Sequence, residues 1–208
     1  GKLLRESASS LSEAARERRD SLQARVQKAR EIIEAAGPDR HWIIWHELED
    51  ERRALQSAIP GIECIWGTED LEKREVTVER FQEGELRLFG SKSSLSGYGS
   101  NFQKHCHSNI FLGIGYKFAD FIQSVHRTHR FGQINPVEVH LIYTESEDQI
   151  YEALMRKWKQ HDELQGTMTK IIREFGLNNA KAGADMRRSI TVTRQEVNSP
   201  YFTAVCND

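Results

Sequence analysis

The chain has 208 residues, room for one ordinary domain or two small ones. Its 29 basic and 31 acidic side chains leave a formal charge of −2 and a pI near 6.5, which excludes a polycationic, histone-like chain. Any nucleic-acid contact must come from a local patch, because the net field supplies no attraction. Charged residues at 29% and hydrophobic residues at 38% fit a globular chain with a helix-rich surface. The longest purely apolar run, Trp42–Trp45, is far below the ~20 residues of a membrane helix. Gly1–Glu6 lacks the apolar core of a secretory signal, so a cytoplasmic protein is expected. The chain does not begin with Met, as expected of a processed or excised fragment.

The first element is a helix predicted over Ser10–Ala36. Leu11, Ala15, Leu22, Val26, Ala29, Ile33 and Ala36 recur at steps compatible with about 3.6 residues per turn. Ser10 with Glu13 makes a capping box, and Gly37-Pro38 is a stop. The opposite face carries Arg16, Arg18, Arg19, Arg25, Lys28 and Arg30. Such a face can touch a phosphate backbone, but a solvated face is the preferred reading.

Short apolar runs then alternate with helical stretches. Strands are predicted at Trp42–Trp45, Ile62–Trp66, Leu86–Phe89, Asn109–Leu112 and Val137–Tyr143. Helices are predicted at Leu48–Ala58, Leu71–Phe81, Phe118–Arg130 and Ile150–Phe175. Strands too apolar to be half solvated, spaced by helices, imply a mainly parallel sheet covered on both faces. Ser189–Thr193 and Tyr201–Val205 read as short strands or extended linker. Cys64, Cys106 and Cys206 form no CxxC and read as reduced thiols. His105-Cys106-His107 has no second pair at zinc spacing, so a polar turn around one buried thiol is preferred and no metal site is expected.

Several motifs are lacking. No Gly-x-x-x-x-Gly-Lys-Ser/Thr is present, and Asp162-Glu163 lies in polar helical sequence rather than at the end of an apolar strand. On its own, the chain is therefore not expected to bind and hydrolyse a nucleoside triphosphate in the usual way. Gly97-Tyr98-Gly99 and Gly113-Ile114-Gly115 are each half of a dinucleotide fingerprint, with Phe102 and Phe118 where the third Gly belongs.

The informative stretch is Gln123–Gln133. On a helix, Gln123, Arg127 and Arg130 share one stripe, while Phe118, Ile122 and Val125 form a neighbouring apolar stripe able to dock on the sheet. Two guanidinium groups aimed at a phosphoryl group can neutralise charge developing on it. An arginine finger of this kind is worth about 10³–10⁵ in rate. A surface Arg pair engaged by glutamates has the same spacing. Upstream, Ser91–Asn101 follows a strand and is rich in Gly and small hydroxyls, which suits either a phosphate-cradling loop or an ordinary surface loop.

On these residues the sequence resembles the second RecA-like lobe of superfamily-2 helicases, the Swi/Snf group of DNA translocases in particular. Ser93–Phe102 resembles motif V, where Gly-x-Gly-x-Asn is usual. Gln123–Gln133 resembles motif VI at Gln123, Arg127, His129, Arg130, Gly132 and Gln133, with His126 and Phe131 departing from the usual Asp and Ile. Trp42–His46 resembles the motif IV strand. Gly67, Arg74, Phe81 and Pro136-Val137 also fit, so the resemblance covers about residues 10–175.

The resemblance implies an α/β RecA-like three-layer domain flanked by N- and C-terminal helices. Residues 1–37 would form a helical extension, 38–176 the lobe, and 177–208 a tail or linker leading towards another domain. It implies half of an ATPase: ATP and Mg²⁺ are held mainly by an N-terminal helicase lobe absent from this chain. Arg130 and Arg127 would be catalytic. Gln123, Gly97, Gly99 and Asn101 would serve ATP, and Lys92, Ser93 and Ser94 would contact double-stranded DNA. His105, His126 and His129 would be packing or polar surface residues. A lone RecA-like module that binds DNA or protein without meeting ATP is the alternative. A dinucleotide or nucleotide-sugar enzyme is the third reading.

Overall fold

The computed structural model describes residues 16–95, 100–115, 117–175 and 190–196, with side chains up to residue 168. Residues 16–20 are helical, and after a turn at Ser21 comes α1 (Leu22–Ala35). There follow β1 (His41–His46), α2 (Glu49–Ala58), β2 (Ile62–Cys64), α3 (Leu71–Gln82) and β3 (Leu88–Lys92). A 3₁₀ turn (Ser93–Leu95) leads towards β4 (Cys106–Phe111), α4 (Phe118–Val125), β5 (Val137–Tyr143), α5 (Asp148–Phe175) and β6 (Ile190–Glu196). The strands form one sheet in the order β2-β3-β1-β4-β5-β6, and every pairing is parallel.

Side-chain alternation divides the core into two layers. Trp42 and Ile44 of β1 face Val26, Ala29 and Ile33 of α1 and Leu55 of α2. Ile43 and Trp45 face the other way, onto Val78 and Phe81 of α3, Phe121 and Val125 of α4, and Leu154 of α5. This is the expected three-layer α/β fold. The middle stretches of its central strands are largely apolar because both faces are covered.

β1 connects to β2 on one side and β4 to β5 on the other, so the topological switch lies between β1 and β4. In open α/β sheets the crevice at the carboxyl ends there is the usual ligand site. Here the chain's own side chains occupy it. Arg18 Nε donates to Glu51 Oε1 at 2.7 Å, while Glu51 Oε2 accepts from the amides of Glu47 (2.8 Å) and Leu48 (2.9 Å). Just beyond β4, Gly113 lies so close to Arg18 that a Cβ would stand 2.8 Å from its Nη2.

The structure departs from the predicted elements at several points. Arg25, assigned to a solvated face, is fully buried, donating to Ser21 Oγ, the Ile142 carbonyl and Glu147. Arg18 is likewise engaged rather than free. α4 stops at Val125 instead of running to Arg130. Strand β6 extends three residues past Thr193, while Tyr201–Val205 lies outside the described residues. The first half of α5 packs on the lobe through Leu154 and Trp158, whereas residues 162–168 are exposed. Among the described residues, no helix is long and apolar enough to cross a membrane.

Candidate functional site

α4 starts after β4 and must return along the sheet, because β5 lies beside β4 and parallel to it. Its end tightens. His126 N still bonds the Ile122 carbonyl (3.0 Å), but the amides of Arg127 and Thr128 reach only three residues back, to Ser124 and Val125 (3.1 Å each). Two contacts explain the stop. The Arg127 carbonyl is taken by the Phe102 amide at 2.9 Å. The Thr128 hydroxyl donates to the Val125 carbonyl (3.0 Å) and accepts from Asn109 Nδ2 (2.8 Å). The first takes a carbonyl that a continuing helix would use, and the second ties the turn to β4.

A buried polar frame holds the turn that follows. Trp45 Nε1 donates to Asn109 Oδ1 at 3.1 Å, so β1 orients the β4 amide that fixes Thr128. Gln133 is buried, its Nε2 3.1 Å from each of the carbonyls of Gln103, Cys106 and Thr128. Its Oε1 accepts from the Asn135 amide at 2.9 Å. Gly132 supplies the left-handed backbone (φ +89°) that brings the chain back over Gln133.

The two arginines project from this frame. Arg127 is half-buried and donates through Nη1 to the Ser100 carbonyl at 3.1 Å. Arg130 is exposed, and its Nη1 donates to Asn101 Oδ1. The Asn101 amide in turn donates to Gln82 Oε1 at 2.9 Å. Among the described residues neither guanidinium has a carboxylate partner, so the reading of a glutamate-paired surface couple does not describe them. Burial, and then the charge of Arg130, depress the Arg127 pKa. Arg127 also lines a small pocket with Trp45, Ser91 and Phe102, of about 10 Å³, space for a single water.

The predicted site residues do not form one cluster. Arg127, Arg130 and Asn101 are brought together. Gln123 is exposed on the last turn of α4 and shares no helical stripe with the arginines, because the helix ends between them. Lys92, Ser93 and Ser94 stand at the carboxyl end of β3: Lys92 half-buried and in register with His46, Ser93 buried, Ser94 exposed. The arginine turn returns instead towards the amino end of β4, where Gln133 meets Cys106. Gly97 and Gly99 lie outside the described residues.

Sequence reasoning assigned no role to Asn109 or Thr128, and matched Gln133 without one. A lone Asn inside an apolar strand was the available signal, since a buried amide needs partners. His126 lies with its ring 6.1 Å from that of His129 and 5.7 Å from that of His161. Burial first, then His129, His161 and Arg130, push its pKa down to about 4. Among the described residues, no group of His, Cys, Asp and Glu is arranged to hold a metal ion.

No protein-family model matches the sequence, and no curated protein matches it significantly. Among solved structures, the fold is similar to the crystal structure of the C-terminal part of the Fun30 ATPase domain, with a TM-score of 0.50 and 20% identity. That match covers 55% of this chain and 39% of the Fun30 chain, so this chain spans well under half of its neighbour. Domain 2 of the DEAD-box helicase Mss116p, solved bound to an RNA duplex, matches at 19% identity over 59% of this chain and 49% of that one; its TM-score of 0.45 is too low to carry weight. At such identity the likeness is one of fold: the chain shares the α/β architecture of the Fun30 structure.

Proposed function

We propose that the chain is the C-terminal lobe of an ATP-driven DNA translocase or helicase of the Swi/Snf kind, and that it works across a cleft from a companion lobe. The observation that carries this reading is the arginine pair. The turn that carries Arg127 and Arg130 is fixed by Gln133, Thr128 and Asn109, yet among the described residues their side chains meet only neutral oxygens, of Ser100 and Asn101. A rigid guanidinium pair without a counter-anion is suited to one that arrives with a ligand.

In this reading ATP supplies the phosphoryl group to be transferred, and the companion lobe supplies the phosphate loop and the Mg²⁺ ligands. Arg130, the exposed member, meets the charge that develops on the transferred group, and Asn101 orients it. Arg127 stiffens the Ser100–Phe102 segment and adds positive potential. Gln123, Gly97 and Gly99 belong to the same nucleotide face by resemblance. Lys92, Ser93 and Ser94, at the carboxyl end of β3, serve the DNA backbone, close to the pocket that Arg127 lines with Ser91. Lobe closure on ATP and reopening after hydrolysis would then move the lobe along DNA. Against a dinucleotide enzyme stands the crevice at the switch point, which Arg18, Glu51 and Gly113 fill.

The test is DNA-stimulated ATP hydrolysis with the companion lobe present, in the same polypeptide or added separately. Arg130→Ala is expected to lower kcat by about 10³-fold or more, with nucleotide binding retained. An unchanged rate overturns the catalytic reading and leaves the chain a non-enzymatic module.

A further inference from the structure

Phe131 and Ile134 are the two most exposed large apolar side chains among the described residues, at 74% and 77%. Single exposed apolar residues are common on any surface and need no explanation. These two differ in how they are held. They lie three residues apart on the turn that carries Arg130, and that turn is pinned on either side of each. The Phe131 carbonyl accepts from Gln103 Nε2 (3.4 Å), and the Gln133 amide donates to the Arg130 carbonyl (3.1 Å). Between the two apolar residues Gln133 is anchored to three carbonyls, and just after Ile134 the Asn135 amide closes on Gln133 Oε1. The chain therefore spends buried hydrogen bonds on holding an aromatic and an aliphatic side chain out in water, next to a guanidinium with no carboxylate partner among the described residues.

We infer that Phe131 and Ile134 are the apolar anchors by which the arginine turn docks onto a protein surface that carries a bound polyphosphate. Charge selects the occupant. The anchors follow directly on Arg130 and share its turn, so the surface that covers them has to bring negative charge to that spot. Aromatic residues and Arg are the side chains that dominate interface cores. A pre-fixed turn loses little freedom on docking. The inference rests on the function proposed above and deepens it: the companion lobe is gripped by apolar contact, and the arginines then read what it holds.

The test uses the chain with its companion lobe, comparing Phe131→Ser/Ile134→Ser, Phe131→Leu and Arg130→Ala by DNA-stimulated ATP hydrolysis. Thermal unfolding of each variant provides the control, and the exposed positions are expected to leave it unchanged. The double serine variant is expected to lose at least tenfold in kcat, whereas Phe131→Leu, still apolar, keeps most of the rate. If the serine variant hydrolyses ATP normally while Arg130→Ala is dead, the anchor is refuted and the proposed function stands. If neither variant loses rate, both fall. If the serine variant instead weakens binding of a DNA duplex, read by fluorescence anisotropy, at an unchanged ATPase rate, the anchors face nucleic acid and the inference is overturned.

Discussion

Arg25 and Glu147 lie 122 positions apart in sequence, yet Arg25 Nη2 meets Glu147 Oε2 at 2.5 Å with both side chains buried. The pair ties α1 to the start of α5. The guanidinium is used on every nitrogen: Arg25 Nε donates to Ser21 Oγ (2.9 Å) and Nη1 to the Ile142 carbonyl (3.1 Å), while Glu147 Oε2 also accepts from the Thr144 amide (2.9 Å). Glu147→Ala would leave a buried guanidinium without its anion and is expected to cost ~3–5 kcal/mol. Arg25→Met combined with Glu147→Ala should cost clearly less than the two single changes added. Urea denaturation of the three variants measures this; strict additivity would show that the two residues are not coupled.

Gly90 of β3 has no room for a side chain. A Cβ there would stand 2.4 Å from Cys64 Sγ and 3.3 Å from Cys64 Cβ. Cys64 is buried on the neighbouring strand, and so short a side chain cannot swing far. Gly90→Ala is therefore expected to destabilise by ~1–3 kcal/mol. Adding Cys64→Ala should recover part of that loss, although alone it only opens space. Denaturation midpoints decide, and a double variant no better than Gly90→Ala would exclude the clash as the cause.

His46 ends β1 in a buried position where neither ring nitrogen has a hydrogen-bond partner among the described residues. Burial, with Lys92 and Arg52 adding to it and Glu51 opposing, pushes its pKa down to about 4. The unfolded chain takes up this proton near pH 6.5 and the folded chain only near 4. Stability must therefore fall as pH drops through that window, by up to ~3 kcal/mol from this residue. His46→Phe should flatten the decline in thermal midpoint between pH 6.5 and 4. Some slope should survive, because His126 titrates in the same direction. An unaltered slope would refute the assignment.

The layered sheet was legible because its strands are apolar. Val137–Tyr143 was found at its true limits, and Trp42–Trp45 lacked only the flanking histidines. Strand ends made of polar residues escaped. Ser91-Lys92 and Cys106–Ser108 pair in the sheet although hydrophobic patterning passes over them. Arg25 was misplaced for a related reason. Periodicity assigns a charged residue to water, and only the distant Glu147 makes its burial affordable. At the site, residue types and spacing picked out Arg127, Arg130 and Asn101, but not the geometry that joins them. The end of α4 is decided by Phe102 and Asn109, from other elements, which no local helix signal in Phe118–Arg130 reveals.

The 28 residues of α5 make a rod ~42 Å long, whereas the seven-residue strand β5 it follows is only ~23 Å. The rod consequently overhangs, and residues 162–168 are exposed, with Leu164 and Met168 bare upon it. The overhang begins just past His161, whose ring rests against His126, the immediate neighbour of Arg127. Overhang and arginine turn share a single fulcrum.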